Sequence, residues 1–301
     1  MTALALLIAG IVLVVAGAEL LLDGLLGVAG RLGVSSFVLT VLFSGFELEN
    51  LAAGIAANAK GLPGAAAGTF LGGTTFLALA VAGGGALIAP IQAKLPRGVL
   101  AWTAVSPLPL VLVAFDGRIS RPEGALLLIW SVIALGAIAR AGRSLPDPQA
   151  PGAKRRPVMR LIAGLAILTG GGVVLGDGIR RVVSQLGVSP SLLGNTAVAA
   201  SIEAEELGRV AIPSRRGRGE LAVANIAGTL VHFTALNAGI IALVKPLRLD
   251  AISVQLHLPV AVGATLAFCG LLAVTGQVTH RTGAVLCVLY LGYLAAAITL
   301  S

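Results

Sequence analysis

Of the 301 residues, 57% are hydrophobic and 11% charged, with a mean hydropathy of +0.98. A soluble domain carries about a quarter charged residues, and outer-membrane barrel strands alternate over about ten residues, so both classes are excluded and an all-α polytopic membrane protein remains. The net charge of +8 is spread over short loops, which points to membrane orientation and excludes nucleic acid as a partner.

A membrane span needs about twenty apolar residues. That rule predicts ten transmembrane helices, over 2–28, 35–59, 64–92, 97–115, 122–141, 158–183, 189–211, 219–245, 252–275 and 281–300. The chain opens Met1-Thr2-Ala3-Leu4 with no basic run, so a first span is expected there instead of a cleaved signal. The longest polar interval, Gly142–Pro157, holds Asp147, Lys154, Arg155, Arg156 and four prolines. It reads as a linker (142–157) between a first five-helix unit, 1–141, and a second, 158–301. Cys269 and Cys287 lie in apolar segments without a CxxC or Cys/His pattern and are expected to be inert thiols.

Placing the N-terminus outside collects 14 basic residues on the inner side and 7 on the outer, which puts both termini outside and the central loop in the cytoplasm of a cell (inner) membrane. The two halves also repeat. Leu22-Asp23-Gly24 returns as Gly176-Asp177-Gly178 and Leu32-Gly33-Val34-Ser35 as Leu186-Gly187-Val188-Ser189, both 154 residues on. Glu47, Glu49 and Gly72 return as Glu203, Glu205 and Gly228, 156 residues on. Because each half holds an odd number of spans, the second copy enters the membrane upside down, giving two inverted-topology five-helix repeats. In secondary transporters such repeats place the substrate at the midplane between them.

The second and seventh predicted helices carry acidic clusters: Glu47, Glu49 and Asn50 in one, and Glu203, Glu205, Glu206 and Arg209 in the other. Ionisable residues inside a bilayer are costly and mark ion or substrate paths. Glu47 and Glu49 diverge by about 200° on a regular helix and converge only if it is broken, which Gly45 and Gly54 permit. Glu206 and Arg209 are three apart and Glu205 and Arg209 four apart, so the guanidinium can neutralise one carboxylate from within. Five carboxylates and one arginine leave a formal charge of −4. Closely placed acids raise one another's pKa and hold protons. Oxygen ligands of this kind suit Ca²⁺, Na⁺ or H⁺, with Glu206, Glu203 and Glu47 as the metal-ligand candidates for Ca²⁺ or Na⁺. The third and eighth helices add the neutral oxygens of Thr69, Thr74, Thr75, Asn225 and Thr229, with His232 as a possible proton carrier. For each threonine the competing reading is a bond to its own helix backbone.

Elsewhere Glu19, Asp23 and Asp177 suggest interfacial caps or salt bridges, the tryptophans and tyrosines belt or packing positions, and Arg215-Arg216-Gly217-Arg218 a topology signal or anionic-lipid contact. No phosphate loop, HExxH site or GxSxG elbow is present, so neither an enzyme nor a resident cofactor has support.

On these residues the chain resembles the sodium/calcium exchanger family within the cation/Ca²⁺ antiporters. Leu186-Gly187-Val188-Ser189-Pro190, through Gly194 and Thr196, resembles the family's LGVSPLVIGLT lead-in. Continuing without a gap, the family's GTSLPE falls on Ser201–Glu206, and its ion-binding glutamate on Glu206. GNxxGSN falls on Ala224–Leu230, keeping Asn225 and Gly228, with Thr229 for the serine. In the first half the same motifs fall on Gly45–Asn50 and Gly68–Thr74, with Asn50 for the glutamate and Thr69 for the asparagine. Both pairs, Asn50 to Thr69 and Glu206 to Asn225, are 19 residues apart. The chain departs from the motif where Glu49 and Glu205 replace its proline and Glu47 and Glu203 its serine. Leu77 and Phe233, which cannot ligate an ion, stand at two further family positions.

The resemblance implies a cation antiporter of alternating access, gated by the first and sixth helices, with Ca²⁺ as the favoured cargo. Another cation exchanged for H⁺ or Na⁺ remains open, as does a non-transporting membrane scaffold with Arg209 as a salt-bridge hub. The expected partners are the lipid bilayer and inorganic cations; the oligomeric state is left open.

Overall fold

The computed structural model describes residues 2–44, 48–145, 156–185 and 204–300. The fold is built of helices, as a lipid-embedded chain requires: only a helix satisfies every backbone polar group within its own segment. We number them α1 (Thr2–Leu32), α2 (Ser36–Phe43), α3 (Leu48–Ala59), α4 (Pro63–Ile88), α5 (Arg97–Ala114), α6 (Arg121–Ala141), α7 (Pro157–Gln185), α8 (Ala204–Arg215), α9 (Gly219–Val244), α10 (Ser253–Thr275) and α11 (His280–Leu300). Among the described residues, eight helices are long and apolar enough to cross a membrane: α1, α4, α5, α6, α7, α9, α10 and α11. The predicted second helix is present as α2 and α3, with 45–47 outside the described residues. The C-terminal part of the predicted seventh is α8. The predicted linker begins with a short 3₁₀ turn, Gly142–Ser144, after α6; 146–155 lie outside the described residues.

α9 and α4 form the centre, with 83% and 67% of their apolar cores buried, against 11% for the peripheral α11. Exposed apolar side chains such as Leu112, Phe115, Val132 and Val274 face outward, as lipid contact demands. Both central helices are interrupted by π-helical turns, Gly68–Gly72 and Phe76–Val81 in α4 and His232–Asn237 in α9. Such turns are rare and gather at functional sites.

Element boundaries recur along the chain. α3 and α8 begin at Leu48 and Ala204 and end at Ala59 and Arg215, both 156 residues apart, and α4 and α9 repeat at the same offset. So do the π turns at Phe76–Val81 and His232–Asn237. There are four two-residue strands among the described residues, β1 (Ile91–Gln92), β2 (Arg118–Ile119), β3 (Leu247–Arg248) and β4 (Gln277–Val278), of which β1 and β3 share that offset. β1 pairs antiparallel with β4, Ile91 opposite Val278, and β2 with β3, Ile119 opposite Leu247. Each ribbon therefore ties a loop of the first half to a loop of the second.

α1 and α7 pack antiparallel through glycine. Gly10, Gly17 and Gly24 face Leu175, Leu168 and Leu161; Gly164, Gly171 and Gly178 face Leu21, Val14 and Leu7. A spacing of seven keeps each set on one face, two turns apart. At all six positions a Cβ would come under 3.0 Å of the partner's backbone nitrogen, closer than real Cβ atoms approach. The small residues let the two backbones touch, the usual basis of helix association in lipid.

Charged groups at the ends are paired. Asp23 of α1 accepts from Arg160 of α7 at 3.2 Å and from Arg216 at 2.7 Å, and Glu19 lies 3.3 Å from Arg216. Arg218 pairs with Glu220. Beyond the topology signal or lipid contact expected of this run, Arg216 and Arg218 are salt-bridge partners, and Arg216 fastens the end of α8 to α1. Trp102 and Trp130 pack together at 5.9 Å, and the Trp130 indole donates to Ser106 O, so both are packing residues.

Candidate functional site

α8 carries Glu205 and Glu206. Arg209 lies one turn on, over the same surface. All three are withdrawn from solvent: Glu206 is fully buried, and Glu205 and Arg209 are each 8% exposed. Burying a carboxylate without a partner is prohibitive, and the structure supplies donors from three elements, α7, α8 and α9. Arg209 Nη2 donates to Glu205 Oε1 at 2.6 Å and Nη1 to Glu206 Oε1 at 2.8 Å. Nη1 also donates to the backbone carbonyl of Ser44, just beyond α2, at 2.9 Å. Thr169 Oγ1 of α7 donates to Glu205 Oε2 at 2.8 Å, and Asn225 Nδ2 of α9 donates to Glu206 Oε2. Each of the four carboxylate oxygens thus has a donor, and residues of both halves meet on one guanidinium.

Gly228 brings Asn225 into reach. A Cβ there would come under 3.0 Å of the Val41 carbonyl and the Ser44 hydroxyl, so glycine lets α9 lie directly on α2. We predict that Gly228→Ala drives α9 away from α2 and lowers stability by about 1–3 kcal/mol, the usual range for overpacking. A thermal unfolding scan of purified protein in detergent checks this; an unchanged midpoint refutes it.

The other predicted residues are placed as follows. Asn225 and Glu206 come together as the motif spacing suggests. Thr229, one turn past Asn225, is fully buried, and its hydroxyl has no hydrogen-bond partner. Asn50 is buried on α3. Thr69 is half-buried and donates to Ala66 O at 2.8 Å, and Thr74 and Thr75 donate to Phe70 O and Leu71 O, the helix-backbone alternative for each. His232 is buried with Nδ1 2.7 Å from Gly228 O. Leu77 and Phe233 are fully buried in apolar packing. Glu47 and Glu203 lie outside the described residues; Glu49 lies in the first turn of α3, and its side chain is outside them too. Two participants escaped the sequence, Thr169 and the Ser44 carbonyl. Arg209 pairs with both carboxylates at once, while its charge offsets only one.

A small cavity of about 180 Å³ lies beside this cluster. Leu22 and Leu25 of α1 and Leu161 and Leu165 of α7 form much of its wall, and Arg209 and Asn225 its polar end.

Family comparison matches the sodium/calcium exchanger protein family over residues 2–138 and 157–299, nearly the whole chain. The chain belongs to the sodium/calcium exchanger family. CaxA of Alkalimonas amylolytica, named as a candidate antiporter, is 26% identical over 308 positions, covering 94% of this chain and 95% of CaxA. The inner membrane protein YrbG of Escherichia coli (strain K12) is 27% identical, covering 83% of this chain and 82% of YrbG. Among solved structures, the sodium-calcium exchanger NCX_Mj soaked with zero Na⁺ and Ca²⁺ superposes with a TM-score of 0.80 at 22% identity, over 98% of both chains. The same exchanger soaked with 100 mM Na⁺ and 10 mM Sr²⁺ gives 0.81 at 21% identity, again over 98% of both chains. At these identities the likeness to NCX_Mj is one of fold. Family membership makes the chain a multi-span membrane protein that handles inorganic cations.

Proposed function

We propose that this exchanger-family chain is a secondary cation antiporter of alternating access, with its site between two inverted five-span repeats. The observation that carries the reading is the meeting of Glu206 with Asn225, fully buried, at the positions where the family's motif glutamate and asparagine fall. Thr229 strengthens it, since a buried hydroxyl without a protein partner is a ready ion ligand beside them. Glu203, Glu47, Glu49, Asn50 and Thr69 complete the proposed set, and Glu205, Arg209 and His232 modulate it.

The 156-residue recurrence of α3, α4, β1 and their second-half mates supports two repeats, 1–141 and 158–301, joined by the linker 142–157. The ribbons support inversion, because a half-turn that exchanges the repeats carries the β1–β4 pair onto the β3–β2 pair. The glycine contact of α1 with α7 obeys the same exchange and supports these helices as the gating pair. With an excess of 14 to 7 basic residues, the central loop is assigned to the cytoplasm and both termini to the outside. YrbG, an inner membrane protein by name, supports that location.

Either a cation or protons occupy the carboxylates, and this competition couples the two fluxes. Arg209 favours a second version of the same reading, in which another cation is exchanged for H⁺ or Na⁺, because a guanidinium already holds two carboxylates. Everted vesicles test both. We expect gradient-driven uptake of Ca²⁺, Na⁺ or K⁺ that falls by at least about 100-fold in Glu206→Gln, as the loss of an interaction central to the reaction implies. Absence of uptake for all three ions would leave the scaffold reading in possession.

A further inference from the structure

Arg209 does something the family resemblance does not supply. Its side chain places a fixed positive charge against two buried carboxylates, within hydrogen-bond distance of each. We propose that Arg209 is a tethered cation that competes with the mobile cation for Glu205 and Glu206. The competition follows from like charge on shared oxygens. A metal ion binds carboxylate oxygen directly, and here each of the four oxygens of Glu205 and Glu206 already accepts a bond. Asn225 can turn its amide to offer its own oxygen to the ion, and Thr169 its hydroxyl lone pairs, so both convert from donor to ligand. A guanidinium has five donors and no acceptor and cannot convert. Its positive charge, within 2.8 Å of both carboxylates, opposes a second cation on the same oxygens.

Room to leave is at hand. The cavity of about 180 Å³ adjoins Arg209, with Thr40 and Ser44 on its wall. Both hydroxyls donate to their own helix, Thr40 to Ser36 O and Ser44 to Val41 O, so their lone pairs are open to a guanidinium that swings toward them. Arginine suits this task, because its planar group is weakly hydrated and bridges two carboxylates with little further ordering.

The charge balance has a consequence for transport, which rests on the antiporter reading, whereas the competition does not. With the cation gone, Glu205 and Glu206 alone carry −2; with Arg209 seated they carry −1 as a group. Buried carboxylates without a counter-charge are costly, and a resident guanidinium relieves part of that cost. Both exchanging ions compete with the same guanidinium, so Arg209 lowers the affinity for each without uncoupling the two fluxes.

The test uses purified full-length protein with CaCl₂ and NaCl as separate probes, and equilibrium dialysis of ⁴⁵Ca²⁺ and ²²Na⁺ as the readout. Arg209→Gln is expected to bind at least one ion about tenfold more tightly than wild type. Arg209→Lys is expected to fall between, about threefold tighter, because a point-like ammonium bridges two carboxylates poorly. Equal binding by wild type and both variants overturns the proposal. Should R209Q be recovered unfolded, the wild type and R209K pair decides: tighter binding by R209K supports competition, and equal binding overturns it. In proteoliposomes, uptake of the labelled ion is expected to require a counter-ion on the far side in both wild type and R209Q, with R209Q half-saturated at about a tenfold lower ion concentration. If wild type moves neither ion but the binding series holds, the antiporter reading fails and the competition stands.

Discussion

Replacing Glu206 by alanine is expected to destabilise the protein by about 3–5 kcal/mol, the cost of breaking a buried ion pair from one side. The loss does not come from Glu206 alone. Arg209, 8% exposed, would keep Glu205 and the Ser44 carbonyl but lose one of its two counter-charges. Asn225 would lose the carboxylate it now donates to, and with it the bond joining α9 to α8. For a chain of this size a shift of that magnitude lowers the unfolding midpoint by roughly 6–15 °C. A thiol-reactive fluorophore reads it directly, because Cys269 is a free, buried cysteine that reacts once the helices part. Glu206→Gln keeps the shape and an acceptor oxygen and should shift the midpoint by less than half as much. If the alanine variant melts within 1 °C of wild type, Arg209 does not depend on Glu206.

The second large effect is expected at the α1–α7 contact. Gly17→Val would push a branched side chain into the backbone of Leu168, where even a Cβ comes under 3.0 Å. Overpacking costs about 1–3 kcal/mol when side chains can yield. Here the obstacle is backbone, so the helices must separate along the seam, and we expect about 3 kcal/mol or more. Gly171→Val, which meets Val14 in the same way, should behave alike. Gly30→Ala is the control: no atom lies within 4 Å of its would-be Cβ, and alanine is the better helix former by about 1 kcal/mol. The same melting assay separates the two outcomes. Equal midpoints for Gly17→Val and Gly30→Ala would mean that the seam does not hold α1 against α7.

Much of this was legible in the sequence because it depends on one-dimensional patterns. Apolar runs of span length located the helices, and the 154- and 156-residue offsets located their mates. The three- and four-residue spacings of Glu205 and Glu206 to Arg209 anticipated their ion pairs, since neighbours on a helix face are fixed by its geometry. The equal spacing of the two motif halves likewise led to Asn225 and Glu206. What stayed hidden depends on three dimensions or on backbone atoms. The Ser44 carbonyl carries no side-chain signature at all. Thr169 has no mate to flag it, because the 154-residue offset places it opposite Val15. The π turns of α4 and α9 fall in ordinary apolar sequence, and no spacing rule marks where the helix widens. The glycines at 10, 17 and 24 were visible in the sequence, but their role emerged only when α7 was seen against them. The pairing of Arg216 with Asp23 stayed hidden because a basic loop end looks the same whether it meets lipid or a carboxylate.

The two small ribbons set an order in time. Ile91 waits for Val278 before it can pair, and Ile119 for Leu247. Synthesis proceeds at about 5–20 residues per second, so the first wait lasts roughly 10–40 s and the second roughly 6–25 s. Throughout that interval the loops after α4 and α5 expose unpaired strand edges, and the first half stands in the membrane without its counterpart. β2 closes on β3 while α10 and α11 have yet to emerge; β1 closes on β4 only after α10 has been made. A chain truncated before Gln277 would therefore keep one clasp and lack the other.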